Sequence, residues 1–296
     1  MTKNQNVPIM GPHHFRCLIF TKATASPQKL RSLPSNATLI LDLEDSIPAE
    51  QKSQQRQRIQ KLFETGIFRD RTVVLRINGP DQPSEMHADI ISCLHKDLDG
   101  IIVPMIQNRE EMVSLEDMIQ RREKWLDLPK KISLIPLIER PGAVLHLEEI
   151  LCSSPRICAV AFGHVDYCVE MHSEIHEDCY GDAQMKVLQA ARACQISAVA
   201  TVHLDLKSTV GFENQNIKMK KYGFDGCFAL NPKQAELALK IFTPTMEEIA
   251  YSKRVLDACR EQGHIAILDG EMIGPPMVKI AQRILQQYAL ENLEVA

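Results

Sequence analysis

Long apolar runs, long basic runs and C-x-x-C pairs are all missing from this sequence. No apolar stretch approaches the ~20 residues of a membrane-spanning helix, and the first ten residues lack a signal-peptide pattern. With a net charge of -4 and no basic run, the sequence lacks the cluster of positive charge that nucleic-acid binding normally requires. We therefore expect a cytoplasmic protein with neither membrane nor nucleic-acid partners.

Two common catalytic and nucleotide-binding motifs are missing as well. The absence of G-x-G-x-x-G weakens a doubly wound dinucleotide fold, and the absence of G-x-S-x-G argues against a Ser-His-Asp hydrolase. The nine cysteines are an odd number, so reduced thiols are the simpler expectation. With 45% hydrophobic and 24% charged residues, the composition is that of an ordinary globular enzyme.

Eight short apolar runs recur through the first part of the chain. Between them lie segments with helical periodicity, such as 49–63, 109–122, 143–151, 183–194 and 232–242. This alternation predicts βαβ units and a parallel sheet, and eight units in about 230 residues match a closed barrel. We predict an α/β fold, a TIM-type (β/α)8 barrel over residues 1–243, with a C-terminal helical lid segment over residues 244–296. The eight predicted strands are 16–20, 38–43, 72–77, 100–103, 132–138, 157–162, 197–202 and 225–230.

Charged side chains follow several of these strands. Catalytic groups of such barrels lie at the carboxyl ends of the strands, where the loops meet at one mouth. Crowded carboxylates persist as anions only beside a cation, so we predict Mg2+ bound by Glu139 and Asp166. Arg76 is then placed to bind a substrate carboxylate bidentately. The structural alternative is that these acids cap helices or form ion pairs on the rim, as for Asp45 before Pro48.

A second grouping has spacings of three to four residues, which would align zinc ligands on a helix. It consists of Cys168, His172, His176 and Cys179. The surrounding stretch is very polar and follows a strand, so a solvated lid segment is the favoured interpretation.

The run from Leu41 to Ile47, with Lys52 and Arg56 after it, resembles the D-L-E-D signature of the citrate lyase beta subunit and HpcH/HpaI aldolase superfamily. Further matches occur in the same order over nearly the whole chain: 75–78, 100–104, 137–139, 162–166, 223–226 and 269–270.

The resemblance implies roles for particular residues. Glu139 and Asp166 match the family's Mg2+ ligands, and Arg76 matches the arginine that contacts the acid part of the substrate. Arg16 resembles the family's strand 1 arginine, which also binds substrate. Glu44 and Asp45 are the remaining catalytic candidates, since they match acids near the metal and its waters.

Asp269 resembles an aspartate that the family's C-terminal segment delivers into a neighbouring subunit's active site. This implies a homotrimer or a hexamer. Asp269 is accordingly the expected catalytic acid, which protonates the enolate of acetyl-CoA after the bond breaks.

The expected reaction is Mg2+-dependent cleavage of a 3-hydroxyacyl-CoA, with citramalyl-CoA giving acetyl-CoA and pyruvate as the preferred case and malyl-CoA or citryl-CoA as alternatives. The sequence departs from the family pattern at Met105, Gln107 and Asn231. The departures at Met105 and Asn231 keep open a ligand-binding barrel without catalysis. Within the superfamily, an aldolase of hydroxy-keto acids that needs no CoA is a further alternative.

Overall fold

Eight parallel strands form a closed barrel in which each strand pairs with its sequence neighbours and the last pairs with the first. This computed structural model describes residues 10–22 and 24–294, with residues 290–294 as backbone only. The predicted TIM-type (β/α)8 barrel is confirmed. The strands are β1 (Cys17–Thr21), β2 (Thr38–Asp42), β3 (Val73–Arg76), β4 (Gly100–Val103), β5 (Ser133–Ile138), β6 (Ala159–Phe162), β7 (Ser197–Ala200) and β8 (Gly226–Ala229).

Helices occupy the connections between the strands. Side-chain caps explain where two of them begin: Asn108 accepts from the Glu111 N–H at 3.0 Å, and Ser208 accepts from the Gly211 N–H at 2.9 Å. The helices are α1 (Pro27–Arg31), α2 (Lys52–Glu64), α3 (Pro83–Cys93), α4 (Arg109–Leu126), α5 (Pro141–Leu145), α6 (Leu147–Leu151), α7 (His164–Glu170), α8 (Glu177–Ala193), α9 (Thr209–Tyr222) and α10 (Pro232–Phe242).

The barrel strands are buried on both faces, as their continuous apolar sequences require. Helices cover the outer face, and one contiguous apolar cluster fills the interior. The interior is therefore a packed core rather than a channel. Strand residues of this cluster include Leu18, Ile40, Val74, Ile102, Ile135, Leu137, Ala159, Ala161, Val199 and Phe228.

The chain itself fills the amino-terminal end of the barrel. Met10, which precedes a 3-10 turn (Pro12–Phe15), and Phe15, which ends it, belong to the interior cluster. A Cβ on Gly226 would lie 1.8 Å from the Phe15 carbonyl oxygen, so only glycine allows this close approach of backbone to backbone. The amino-terminal end is thus occupied, and the cavity described below lies at the carboxyl end of the strands.

Contacts divide the chain between Lys240 and Ile241 into two compact units. The second unit contains α11 (Met246–Gln262), a hairpin of β9 (Ala266–Leu268) and β10 (Glu271–Ile273), and α12 (Pro275–Glu294). It has an apolar cluster of its own, in which Val255 and Ile273 are almost fully buried. None of the helices in the described ranges is both long and apolar enough to span a bilayer.

Candidate active site

The pairing of β2 with β3 brings acidic and basic side chains together at the barrel mouth. Asp42 and Arg76 end these strands and are register partners. Two N–H groups of Arg76, Nε and Nη2, donate to the two carboxylate oxygens of Asp42 at 2.7 and 2.8 Å. The third nitrogen, Nη1, lies 2.5 Å from the Glu44 carboxylate and 3.7 Å from that of Asp45.

These contacts bear on the expected binding of a substrate carboxylate by Arg76. One edge of the guanidinium, formed by Nε and Nη2, is already paired with Asp42. Burial works against the charge of Arg76, but its acidic partners outweigh it and hold the pKa above its ordinary value. Arg76 therefore stays charged, and Nη1 is the nitrogen left to meet a further anion, in competition with Glu44.

Glu139 follows β5 directly and is almost fully buried, at 3% exposure. The Met105 N–H donates to its Oε2 at 3.1 Å. On the other side, a Cβ at Gly163 would lie only 2.4 Å from the Glu139 Cγ. Since β5 pairs with β6 through Ile138 and Phe162, the glycine after β6 leaves the space that the Glu139 side chain occupies.

Asp166 lies in the first turn of α7, one turn beyond β6, and lines the same cavity as Glu139. Burial, and then the charges of Glu44 and Asp166, raise the pKa of Glu139 well above its ordinary value. Burial and the charge of Asp45 raise the pKa of Asp166. The pKa of Glu44 is raised to about 8 by burial and by the charges of Asp45 and Asp42, although the charge of Arg76 opposes this shift.

These pKa shifts test whether a cation fits. Five carboxylates at the mouth face one guanidinium, so their formal charges leave negative charge in excess. Burial first, and then neighbouring acids, raise the pKa values of three of these carboxyls. A hard divalent cation with oxygen ligands would relieve this excess. Glu139 and Asp166 could supply two oxygens, while waters and substrate complete the shell, as is usual for Mg2+.

The zinc alternative finds no support in the fold. Cys168 is buried, whereas His172, His176 and Cys179 are exposed. Within residues 10–22 and 24–294, no three His, Cys, Asp or Glu side chains are grouped to hold an ion. The stretch is solvated as expected, since residues 174–179 are exposed, although α8 already begins at Glu177.

A cavity of about 840 Å3 opens at this end of the barrel. Its polar side includes Arg76, Glu139 and Asp166, and its apolar wall includes Phe20. The centre of the Phe20 ring lies 4.9 Å from the guanidinium carbon of Arg76. The volume suits a small organic ligand with one charged end. Other residues that line the cavity include Lys22, Lys29, Leu137, Phe162, His164 and Asn231.

Arg16 lies outside this group. The sequence placed it within strand 1, but β1 begins at Cys17, so Arg16 precedes the strand. Its carbonyl accepts from Cys227 at the start of β8, at the amino-terminal end of the barrel. The expected role of Arg16 in binding substrate at the mouth is therefore corrected, because the barrel core separates it from the acids.

Asp269 lies in the second unit, at the turn between β9 and β10. Asp269 and Gly270 both have left-handed backbones, with φ of 53° and 84°, as a tight two-residue hairpin turn requires. The Asp269 carboxylate forms an ion pair with Arg254 of α11, and both side chains are about half exposed. The turn thus presents an aspartate at the tip of a hairpin.

Two cavity residues were not singled out by the sequence. His164 starts α7, shares a hydrogen bond between its Nδ1 and the Thr201 hydroxyl, and has its pKa lowered to about 4 by burial. It is therefore neutral near pH 7. Lys22 directly follows β1, a position that would have been recognised had the strand end been predicted one residue later.

A buried network behind the mouth holds the loops after β2 and β3. Asn78 donates to the Leu43 carbonyl at 3.1 Å and to Asp89 at 2.6 Å, and it accepts from Lys52. Asp89 in turn accepts from the Arg56 Nε at 2.7 Å. Lys52 and Arg56, which follow the acidic signature in the sequence, therefore support the loops at the mouth through Asn78 and Asp89.

The departures at Met105 and Asn231 fall at the mouth as well. Met105 has a left-handed backbone, with φ of 56°, and holds Glu139 through its N–H. Asn231 lines the cavity and caps α10, since its Oδ1 accepts from the Gln234 N–H at 2.9 Å. The contact to Glu139 comes from the backbone, so the departure from the family pattern at Met105 leaves it in place.

The chain belongs to the HpcH/HpaI aldolase/citrate lyase family, whose model matches residues 24–232. Both activities in that description break carbon–carbon bonds, and the chain is an enzyme of this lyase class.

Relatives of established function agree. The citrate lyase subunit beta of Escherichia coli K12 is 28% identical over 269 residues, 88% of each chain. An L-malyl-CoA/beta-methylmalyl-CoA lyase of Cereibacter sphaeroides is 26% identical over 299 residues, covering 92% of this chain and 94% of the relative.

Solved structures share the fold. A citrate lyase from Burkholderia xenovorans LB400 superposes with a TM-score of 0.83 at 16% identity, over 93% of this chain and 92% of that one. The CitE protein of Mycobacterium tuberculosis, in complex with magnesium, acetoacetate and coenzyme A, has a TM-score of 0.73 at 20% identity and covers 92% and 97% of the two chains.

Proposed function

We propose that this chain is a Mg2+-dependent lyase that cleaves a 3-hydroxyacyl-CoA into acetyl-CoA and a keto acid. The observation that carries the proposal is the meeting of Glu139 and Asp166 at one cavity, with raised pKa values that a cation would relieve. The names of the relatives, a malyl-CoA lyase and a citrate lyase subunit, support a CoA thioester as substrate.

In this proposal Glu139 and Asp166 hold Mg2+, and Glu44 and Asp45 orient its waters. When bound, Mg2+ would supply Lewis-acid polarisation of the carbonyl that forms from the substrate hydroxyl. Arg76, fixed by Asp42, offsets the substrate carboxylate through Nη1. The Phe20 ring beside Arg76 narrows the space for this end of the substrate.

The bond that breaks joins the hydroxyl-bearing carbon to the α-carbon of the acyl-CoA. The hydroxyl proton leaves, its oxygen becomes the keto group, and the electron pair of the broken bond passes to the α-carbon as an enolate. A proton must then reach that carbon, and Asp269 from a neighbouring subunit is the proposed donor. This assignment makes a homotrimer or hexamer the functional assembly.

Citramalyl-CoA, which gives pyruvate, is the preferred substrate over malyl-CoA and citryl-CoA. The cavity wall contains the apolar side chains of Phe20, Leu137 and Phe162, which suit the methyl group of citramalate better than the second carboxymethyl arm of citrate. Lys22 and Lys29 are exposed basic residues of the cavity rim, and we propose that they meet the phosphates of CoA.

The test is a panel of citramalyl-, malyl- and citryl-CoA thioesters with detection of the released keto acid. Wild type should cleave citramalyl-CoA fastest and lose cleavage when Mg2+ is removed by chelation. The variants Glu139→Gln and Asp166→Asn should lose at least about 1,000-fold in kcat/KM, because each removes an anionic ligand. Glu149→Gln, an exposed acid of α6, is the matched control and should keep wild-type turnover.

Three results would count against the proposal. Turnover retained by Glu139→Gln would remove the metal assignment. Cleavage of free hydroxy-keto acids at equal rates without CoA would favour the aldolase hypothesis. Failure of Mg2+ with pyruvate, oxaloacetate or glyoxylate to give any heat in calorimetry would favour a barrel without catalysis.

A further inference from the structure

Two cysteines outside the active site lie side by side. Cys152 follows α6 and Cys194 follows α8, and their Sγ atoms are 2.7 Å apart. Both residues are C-caps of their helices and precede the next strands, β6 and β7, so they lie at the amino-terminal end of the barrel. Cys152 is exposed to solvent and Cys194 is half-buried.

Solvent access distinguishes Cys152 and Cys194 from another pair of neighbouring cysteines. Cys17 and Cys227 are register partners in β1 and β8, but both are fully buried, and burial raises the pKa of each thiol. A reagent in solution has no path to those sulfurs. Proximity and access occur together at Cys152 and Cys194.

We propose that Cys152 and Cys194 form a site of reversible oxidation, which takes a low-molecular-weight disulfide and becomes an intramolecular disulfide. A bond length of about 2.05 Å requires the two sulfurs to move together by only about 0.7 Å from their separation of 2.7 Å. Their positions after two helix ends, rather than inside a strand, leave room for that movement.

The reaction has two exchange steps. The Cys152 thiolate attacks one sulfur of the small disulfide, forms a mixed disulfide and releases one small thiol. The Cys194 thiol then loses its proton, attacks the Cys152 sulfur and releases the second small thiol. Two electrons and two protons pass from the protein thiols to the small disulfide. The exposed Cys152 is the thiol that a small disulfide reaches first, and the half-buried Cys194 beside it is then the second, resolving thiol.

The crosslink would close a loop of the chain that contains β6, α7 and α8. Asp166 and His164 lie within this loop, although the sulfurs are at the opposite end of the barrel. Closing a loop of about 40 residues restricts the unfolded chain, so oxidation should raise the thermal stability without blocking the cavity.

The test uses the full-length protein with oxidised glutathione and a titration of free thiols under denaturing conditions. Wild type has nine thiols and should retain seven. Non-reducing peptide mapping should join the peptides that contain Cys152 and Cys194. The melting temperature should rise by roughly 5 °C and return to its starting value with dithiothreitol.

Variants separate the two roles. Cys194→Ser should stop at one glutathione bound to Cys152, and Cys152→Ser should give no crosslink and no glutathione on Cys194. Cys179→Ser removes another exposed thiol of α8 and should crosslink like wild type. Nine free thiols in oxidised wild type, a stable glutathione adduct on its Cys152, or a crosslink that survives Cys152→Ser would overturn the proposal.

Discussion

Gly163 shows at the scale of one residue how the candidate metal site depends on an absent side chain. Its φ is -104°, which any residue adopts, so glycine is not needed for the backbone. It is needed for Glu139, because a Cβ would lie 2.5 Å from the Glu139 Oε1. We predict that Gly163→Ala displaces Glu139 and lowers Mg2+ affinity by about 10-fold or more, measured by isothermal calorimetry.

The matched control for this prediction is Gly181→Ala in α8. A Cβ there meets nothing closer than the Glu177 Cγ at 3.9 Å, and alanine favours a helix interior. Gly181→Ala should keep wild-type Mg2+ affinity, and circular dichroism should show both variants folded. Equal Mg2+ affinity of Gly163→Ala and wild type would show that Glu139 is not a ligand.

Some residues of the candidate site could be predicted from the sequence, whereas their contacts could not. Glu139 and Asp166 were predicted as ligands because acids at or just beyond the ends of buried strands stand out. The partner of Arg76 could not be found in this way, since the bidentate contact with Asp42 depends on the register of β2 against β3. The binding of a substrate carboxylate by Arg76 stays a prediction, and any such carboxylate has to share the guanidinium with Asp42.

At the scale of elements, the order of strands was predictable and their ends were not. All eight strands were predicted from apolar runs, and the last barrel helix was predicted as Pro232–Phe242, as observed. The role of Arg16 came from the family resemblance, whereas its place at the first residue of the predicted strand already put it at the amino-terminal end of the barrel. Apolar periodicity gives the middle of a strand, whereas hydrogen bonds to neighbouring strands decide where it stops.

Missed or merged helices were the other difference between the prediction and the structure. The helices α1, α3, α7 and α9 were not singled out, and the segment predicted as one helix over 143–151 is two, α5 and α6. The helices α1 and α7 are too short for a clear 3.6-residue repeat, and they are held by barrel packing rather than by their own propensity. Because α7 carries Asp166, the position of that residue one turn into a helix was missed too.

The helices α2 and α3 are joined by the buried ion pair of Arg56 with Asp89, which also supports Asn78. We predict that Asp89→Asn lowers the free energy of unfolding by about 3 kcal/mol, because it leaves Arg56 without its buried counter-charge. Asp117→Asn in α4 breaks an exposed pair with Arg121 and should change that free energy by less than about 0.5 kcal/mol. Urea unfolding followed by circular dichroism measures both, and equal values for the two variants would contradict the prediction.

At the scale of the whole molecule, the chain consists of the barrel and a second unit that carries Asp269. If Asp269 acts in a neighbouring subunit, as proposed, two inactive variants should complement each other. We predict that Asp269→Asn and Glu139→Gln are each inactive alone and that purified mixed trimers recover about a third of wild-type turnover, since one of the three sites in each mixed ring combines an intact barrel with an intact neighbouring hairpin.

The experiment uses different affinity tags on the two variants and sequential purification of the mixed assemblies. Turnover of citramalyl-CoA is then compared with that of each variant purified alone. Mixed assemblies with no turnover would mean that Asp269 does not reach a neighbouring site.

The pairing of β8 with β1 also governs how the protein must be made. A ribosome has to add about 200 residues after β1 before the strand that completes its pairing exists, which takes on the order of ten to forty seconds at ordinary elongation rates. Throughout that interval the nascent sheet has two uncovered borders with unpaired amide and carbonyl groups. Synthesis of this enzyme therefore includes a period of exposure to aggregation, during which chaperones have the most to contribute.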